Sequence, residues 1–237
     1  MSLKERFIAN FIVDERWRYI VDGLIATLTI TFFAVLIGIA FGVIIAIIRS
    51  TYDKNKESMR KGLGRTVLSI LNFICKIYLT VIRGTPVVVQ LMIMYFVIMV
   101  STTNGILVAI IAFGLNSAAY VAEIFRSGIM SIDQGQFEAG RSLGFNFVQT
   151  MRYIIIPQAF KNVLPALANE FIVLLKETSV AGYVGLQDLT KGGDIIRSRT
   201  FDAFMPLLGV AAIYLIMVVF FTWLVGKLER RLRNSER

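Results

Sequence analysis

The chain has 237 residues, of which 56% are hydrophobic and 17% charged, and 25 Lys and Arg against 16 Asp and Glu leave a formal charge of +9. A mean hydropathy of +0.69 is well above that of a water-soluble domain of this length and points to an integral membrane protein. With no histidine, the sequence excludes His-based zinc sites and Ser-His-Asp or Cys-His catalysis, and the single cysteine, Cys75, closes no internal disulfide. Cys75 stands beside Ile74 and Ile77 and reads as an inert thiol on an apolar face. The basic residues are scattered among long apolar runs, a pattern that orients spans in a membrane rather than binding nucleic acid.

Residues 1–22 are mixed in charge and lack a small-residue cleavage site, so they read as retained rather than as a removable signal peptide. A spanning helix needs about 20 mainly apolar residues, and residues 23–48 supply the first span without a single charge. The stretch 49–65 carries Arg49, Lys54, Lys56, Arg60, Lys61 and Arg65 against Asp53 and Glu57, which places it on the cytoplasmic side. Residues 66–100 read as one span with an irregular entry, where Arg83-Gly84-Thr85-Pro86 divides an amphipathic approach from the clean run 87–100. After a short uncharged turn, 101–105, residues 106–122 cross back and end at Glu123 and Arg126, spaced to pair on one helix face.

Residues 127–157, with Asp133, Glu138, Arg141 and Arg152, are too polar to span and read as a structured cytoplasmic loop. Residues 163–183 are apolar apart from Asn169, Glu170, Lys176 and Glu177 and are taken as a fourth span. The loop 184–205 balances Lys191, Arg197 and Arg199 against Asp188, Asp194 and Asp202, which suits the outer side. Residues 206–225 make a fifth span, and the tail 227–237, with five basic residues against two Glu, belongs in the cytoplasm. The expected fold class is therefore all-α, an integral membrane protein of five transmembrane helices with the N-terminus outside and the C-terminus cytoplasmic, forming one domain over 1–237.

The sharpest signal lies in the third loop: Glu138-Ala139-Gly140, three residues, Gly144, nine residues, then Ile154-Ile155-Ile156-Pro157. This segment resembles the EAA loop of bacterial ABC importer permeases, whose pattern is Glu-Ala-Ala, three residues, Gly, nine residues, Ile, any residue, Leu-Pro. Gly140 stands in place of Ala and Ile156 in place of Leu; a helical Gly costs roughly 1 kcal/mol relative to Ala, so the first half of the element is expected to be less rigid. Physically, a short helix over 136–143, ended by Gly144 where a left-handed conformation is cheap, makes a compact knob that can seat in a groove of a separate ATPase. Glu138 near the helix start complements its dipole, and Phe145 and Phe147 read as aromatic anchors.

Further segments resemble the polar amino-acid branch of those permeases, the histidine and glutamine type. They are Ile82-Arg83-Gly84-Thr85-Pro86, the run Ala119-Tyr120-Val121-Ala122-Glu123-Ile124-Phe125-Arg126, Leu164-Pro165-Ala166-Leu167 with Asn169-Glu170-Phe171, and Lys176-Glu177-Thr178-Ser179. The likeness runs from about 23 to 231 and leaves out the basic first loop, which is longer than expected. It implies a type I ABC importer transmembrane domain with a cytoplasmic coupling helix in 127–157. It also implies a second permease subunit, identical or homologous, two cytoplasmic ATPase subunits, an external solute-binding protein, and a bacterial inner or plasma membrane. The chain itself has no Gly-x-x-x-x-Gly-Lys-Ser/Thr loop, so no cofactor is expected on it, and ATP and magnesium belong to the ATPase.

Ionisable groups inside spans are treated as functional by default; Tyr120, Glu170, Lys176 and Glu177 are the candidates for the solute path. Glu170 and Lys176 stand six residues apart, about 120° around a helix, and so do not share a narrow stripe. For Arg83-Gly84-Thr85-Pro86 two readings stand: a hinge, and the preferred one of a helix start with Thr85 as N-cap and Pro86 in the first turn. Lys191-Gly192-Gly193-Asp194 offers a flexible, mixed-charge connector or a contact for the external protein. The rival readings are a gradient-driven secondary transporter, which calls for discontinuous helices and an internal repeat not evident here, and a non-transport membrane scaffold.

Overall fold

A computed structural model describes residues 2–55 and 62–234, and among these the chain is helical with no strand. A short α1 (Leu3–Phe7), closed by a Ser2/Glu5 capping box, leads through a π-turn (Ile8–Ile12) and a 3-10 turn (Val13–Glu15) into α2 (Trp17–Asn55). Then follow α3 (Leu63–Gly84), α4 (Val87–Ile93) with a π-turn at Met94–Ile98, and α5 (Gly105–Met130). Two short helices, α6 (Gln134–Ser142) and α7 (Phe147–Thr150), precede α8 (Ile156–Glu177), α9 (Leu189–Thr200) and α10 (Phe204–Asn234).

Among the described residues four helices, not five, are long and apolar enough to cross a membrane: Trp17–Lys54, Leu63–Gly84, Gly105–Met130 and Phe204–Leu232. The expected fourth span, 163–183, is the end of α8 and a 3-10 turn over Thr178–Val184; Asn169, Glu170, Lys176 and Glu177 dilute its apolar content. The expected single span 66–100 is two helices. The extended backbone of Thr85 and Pro86 (ψ 147° and 138°) breaks it, because proline disfavours helical geometry in the residue before it and brings no N–H donor of its own. Of the basic first loop, Lys56, Glu57, Arg60 and Lys61 lie outside the described residues, as do Glu236 and Arg237 of the tail.

α5 is the central element. Of its most apolar stretch 61% is buried, against 11% for α10 and 17% for α3, so α5 is wrapped by protein while α10 and α3 present apolar faces outward. α2 lies along α5 and packs close because Gly38 and Gly42, one turn apart, face Ser117 and Val121. A Cβ at either position would come within 2.8 Å of the Ser117 Oγ or 2.6 Å of the Val121 Cγ1. Small residues at such spacing let helix backbones approach where lipid supplies no hydrophobic driving force. Ile30, Ala34, Leu91, Ala109, Phe113 and Leu174 close the main core between α2, α4, α5 and α8.

At the end of the bundle opposite α6, the expected connector 184–205 is mostly the helix α9. Asp188 caps it by accepting from the Thr190 and Lys191 N–H groups at 2.9 and 3.1 Å. Gly192 and Gly193 are not a flexible joint but contact points: a Cβ on the first would collide with the Tyr19 carbonyl of α2, and on the second would lie 2.5 Å from the Val210 Cγ2 of α10. The N-terminal segment is tied to the same end, with Arg6 donating to Asp202 at 2.7 and 3.1 Å and Asn10 donating to it at 2.9 Å.

Candidate functional site

The third loop forms a knob. Asp133 accepts from the Gly135 N–H at 2.7 Å to start α6, and Gly144 (φ +82°) ends it in the left-handed region. The Gly144 N–H donates to the Arg141 carbonyl at 2.9 Å and the Phe145 N–H to the Gly140 carbonyl at 3.0 Å, which satisfies the orphan carbonyls of the last turn. Asn146 and Gln149 then form a capping box that opens α7.

Gly140 does not loosen this element. It is buried, and a Cβ there would lie 2.7 Å from the Thr150 Cγ2 and 3.1 Å from the Ile154 Cδ1, so Gly140 lets α6 lie against the segment that follows. The expected aromatic anchors, Phe145 and Phe147, are half-buried, and Phe145 packs on Tyr153 with ring centroids 6.2 Å apart. The knob's free surface is instead Glu138, Ala139, Leu143 (72% exposed) and Val148 (69% exposed). Pro157 sits in the first turn of α8, and Ile155, not Ile154, is the fully buried anchor.

The sequence reading missed Lys54. Its Nζ stands 4.1 Å from the Phe137 ring centroid and 3.2 Å from the Gln134 Oε1, which ties the last turn of α2 to α6. No apolar period marks this contact, and only the cation–aromatic pairing across 83 residues could have signalled it.

A second constellation runs through the bundle. Glu170, 8% exposed, accepts from the Ser117 Oγ at 2.9 Å, and Asn116 donates to the Gln90 Oε1 at 2.8 Å. Gln90 donates to the Ile82 and Thr85 carbonyls and to the Thr85 hydroxyl at 2.7, 3.0 and 2.8 Å. The Thr85 hydroxyl donates to the Val81 carbonyl at 2.8 Å, so Thr85 closes the end of α3 rather than capping α4, and Gln90 straps the two across the break. Of the expected path residues, Glu170 and Glu177 stand seven residues apart, two turns along one face of α8. Lys176 is exposed beside them, and Tyr120 lies away from them, under the Arg83 guanidinium at 5.9 Å. Glu123 pairs with Arg126 at 2.7 Å and lies 3.8 Å from Arg83.

Residues 63–234 match the family described as the inner membrane component of binding-protein-dependent transport systems. The chain belongs to that family. Its relatives include a putative glutamine transport system permease protein, GlnP, of Rickettsia typhi, 34% identical with 90% of this chain and 93% of the relative covered. The arginine transport system permease protein ArtQ of Bacillus subtilis is 35% identical, with 92% and 94% covered. A crystal structure of an amino acid ABC transporter with histidines superposes with a TM-score of 0.80 at 41% identity, covering 92% of this chain and 96% of that one. The inward-facing MetNI methionine ABC transporter shares the fold, with a TM-score of 0.74 at 20% identity and 98% and 99% covered. The chain is thus a multi-pass inner-membrane permease subunit with the fold of an ABC importer transmembrane domain.

Proposed function

We propose that this permease forms the translocation path of an ATP-driven amino-acid importer and is moved by an ATPase that grips α6. The observation that carries the reading is the knob: a helix capped at both ends, tied to α2 through Lys54 and Phe137, and presenting Glu138 and Leu143 outward. In this reading α8 is a fifth crossing, shielded from lipid on its polar side by α5, with the N-terminus outside and α6 in the cytoplasm. The assembly has two such permeases, identical or homologous, two cytoplasmic ATPases that carry ATP and magnesium, and an external protein that delivers the solute. Closure of the ATPases on nucleotide draws the two knobs together and favours the outward-open bundle; hydrolysis releases them. An amino acid carries an ammonium and a carboxylate, and Glu170 or Glu177 with Lys176 supplies the complementary pair. The names of relatives that transport glutamine and arginine support this solute class.

The test is an affinity pull-down of the full chain from native membranes in mild detergent, wild type against Glu138→Ala/Leu143→Asp. Both side chains are exposed, so the variant is expected to reach the membrane in normal amount. Recovery of a phosphate-loop ATPase with the wild type, reduced tenfold or more in the variant, is the predicted result; equal recovery from both places docking elsewhere and contradicts the reading.

A further inference from the structure

Near the end of the bundle that carries α6, helices α2, α3 and α5 line an open cavity of about 540 Å³ whose lining includes Arg49, Lys76, Thr80, Arg83 and Glu123. Its charge is unbalanced. Among the described residues Glu123 is the only carboxylate in the lining, and it is already held by Arg126 at 2.7 and 3.3 Å, with Arg83 a further 3.8 Å contact. Among the described residues Lys76 meets no acidic group within ion-pair distance. Polar groups beside the cavity are also unsatisfied. The Arg49 Nε is buried without a hydrogen-bond partner, as is the Ser50 Oγ next to it, and Ser50 is 3% exposed. Cations and buried polar groups in this state lack an anion with several acceptor oxygens.

The other side of α3 says which anion. Val67, Ile70, Phe73, Ile74, Ile77 and Val81 are each 47–63% exposed, a continuous apolar stripe on the helix whose opposite side carries Asn72, Lys76, Thr80 and Arg83. Free phosphate has no use for that stripe. A phospholipid presents phosphate oxygens to the cations while its acyl chains lie along the apolar face, and basic pockets between membrane helices recognise anionic headgroups in this way. We propose that the Arg49–Lys76–Arg83 cavity binds the phosphate of an anionic phospholipid. On the orientation proposed above, that lipid belongs to the cytoplasmic leaflet; the binding itself does not depend on that orientation.

The experiment is native mass spectrometry and thermal unfolding of the purified full chain, with whatever partners it retains, titrated with phosphatidylglycerol, phosphatidylcholine or inorganic phosphate. The wild type is expected to keep phosphatidylglycerol adducts and gain thermal stability from that lipid, with no comparable effect of phosphatidylcholine. Lys76→Gln/Arg83→Gln should weaken phosphatidylglycerol binding on the order of tenfold or more. Lys4→Gln, at the opposite end of the bundle, should leave it unchanged. A gain from inorganic phosphate that competes with phosphatidylglycerol assigns the same cations to a free anion and overturns the lipid source; equal binding of both lipids, or unaltered binding in the double variant, overturns the site. Because ATPase recovery is not the readout, failure here leaves the docking proposal standing, and failure of docking leaves this one standing.

Discussion

Gly140 is the residue at which sequence expectation and structure part most clearly. Helix propensity favours Ala there by about 1 kcal/mol, but the 2.7 Å approach to Thr150 makes an added methyl an overpacking change, of about 1–3 kcal/mol. Gly140→Ala is therefore expected to lower the thermal midpoint of the purified chain, and Thr150→Ala in the same background to restore it. Midpoints of the single and double variants measure this; a Gly140→Ala chain as stable as wild type contradicts the contact. Glu170, in contrast, was legible as an ionisable group in an apolar stretch, although its partner was not, because Ser117 lies 53 residues away in sequence. In the proposed path, Glu170→Gln should cut solute uptake tenfold or more at unchanged membrane content, measured with a labelled amino acid in vesicles. At the far end, hydrogen bonds from the Arg6 guanidinium and from Asn10 hold the Asp202 carboxyl down to about 2, below an ordinary Asp near 3.9. A depressed carboxyl stabilises the fold above the unfolded value and loses that contribution as pH falls through the folded one. Protection of the 2–12 segment from proteolysis is thus expected to persist at pH 4 and to fail below about pH 2, whereas Asp202→Asn should weaken it already at neutral pH.

Elements were readable in proportion to the length of uncharged apolar run they hold. α2, α5 and α10 each hold a long uncharged run and fall where hydropathy puts them. α8 and α9 pack against protein instead, so their sequences mix polar and small residues and carry no continuous apolar run. That is why 163–183, expected as a span, is not among the four long apolar helices, and why the helix around Gly192 and Gly193 reads as a loop. The break between α3 and α4 was marked by Pro86, but the strap that Gln90 throws across it has no local signature. The end of the knob helix was legible because a left-handed Gly is a local signal, whereas the cap at Asp133 and the packing of Gly140 were not read. Gly144→Ala puts an L side chain at φ +82° and should cost about 1–2 kcal/mol locally, while Gly144→Asn should cost less. The ranking wild type, Asn, Ala in solute-stimulated ATPase activity of the reconstituted complex measures it; equal activities would mean that the cap does not set the knob's shape.

For the whole molecule, the proposed transport cycle depends on one mechanical linkage: ATPase to α6, α6 to α2 through Lys54, and α2 to α5 along the close approach at Gly38 and Gly42. The composition and the charge of the loops were enough to read a membrane protein and the order of its apolar segments. They were not enough to read how α2 meets α6, since contacts between distant segments leave no periodic trace. The most direct test is cross-linking at the knob, with Leu143→Cys introduced in a Cys75→Ala background and native membranes treated with a short maleimide–diazirine reagent, which takes the thiol at one end and on illumination inserts into whatever chain lies against the other. The account predicts a cross-linked product containing peptides of a phosphate-loop ATPase, absent when the cysteine is placed at Tyr183 at the other end of the bundle. Product formation at Tyr183 but not at Leu143, or none at Leu143 although that thiol reacts with a monofunctional maleimide, would contradict it.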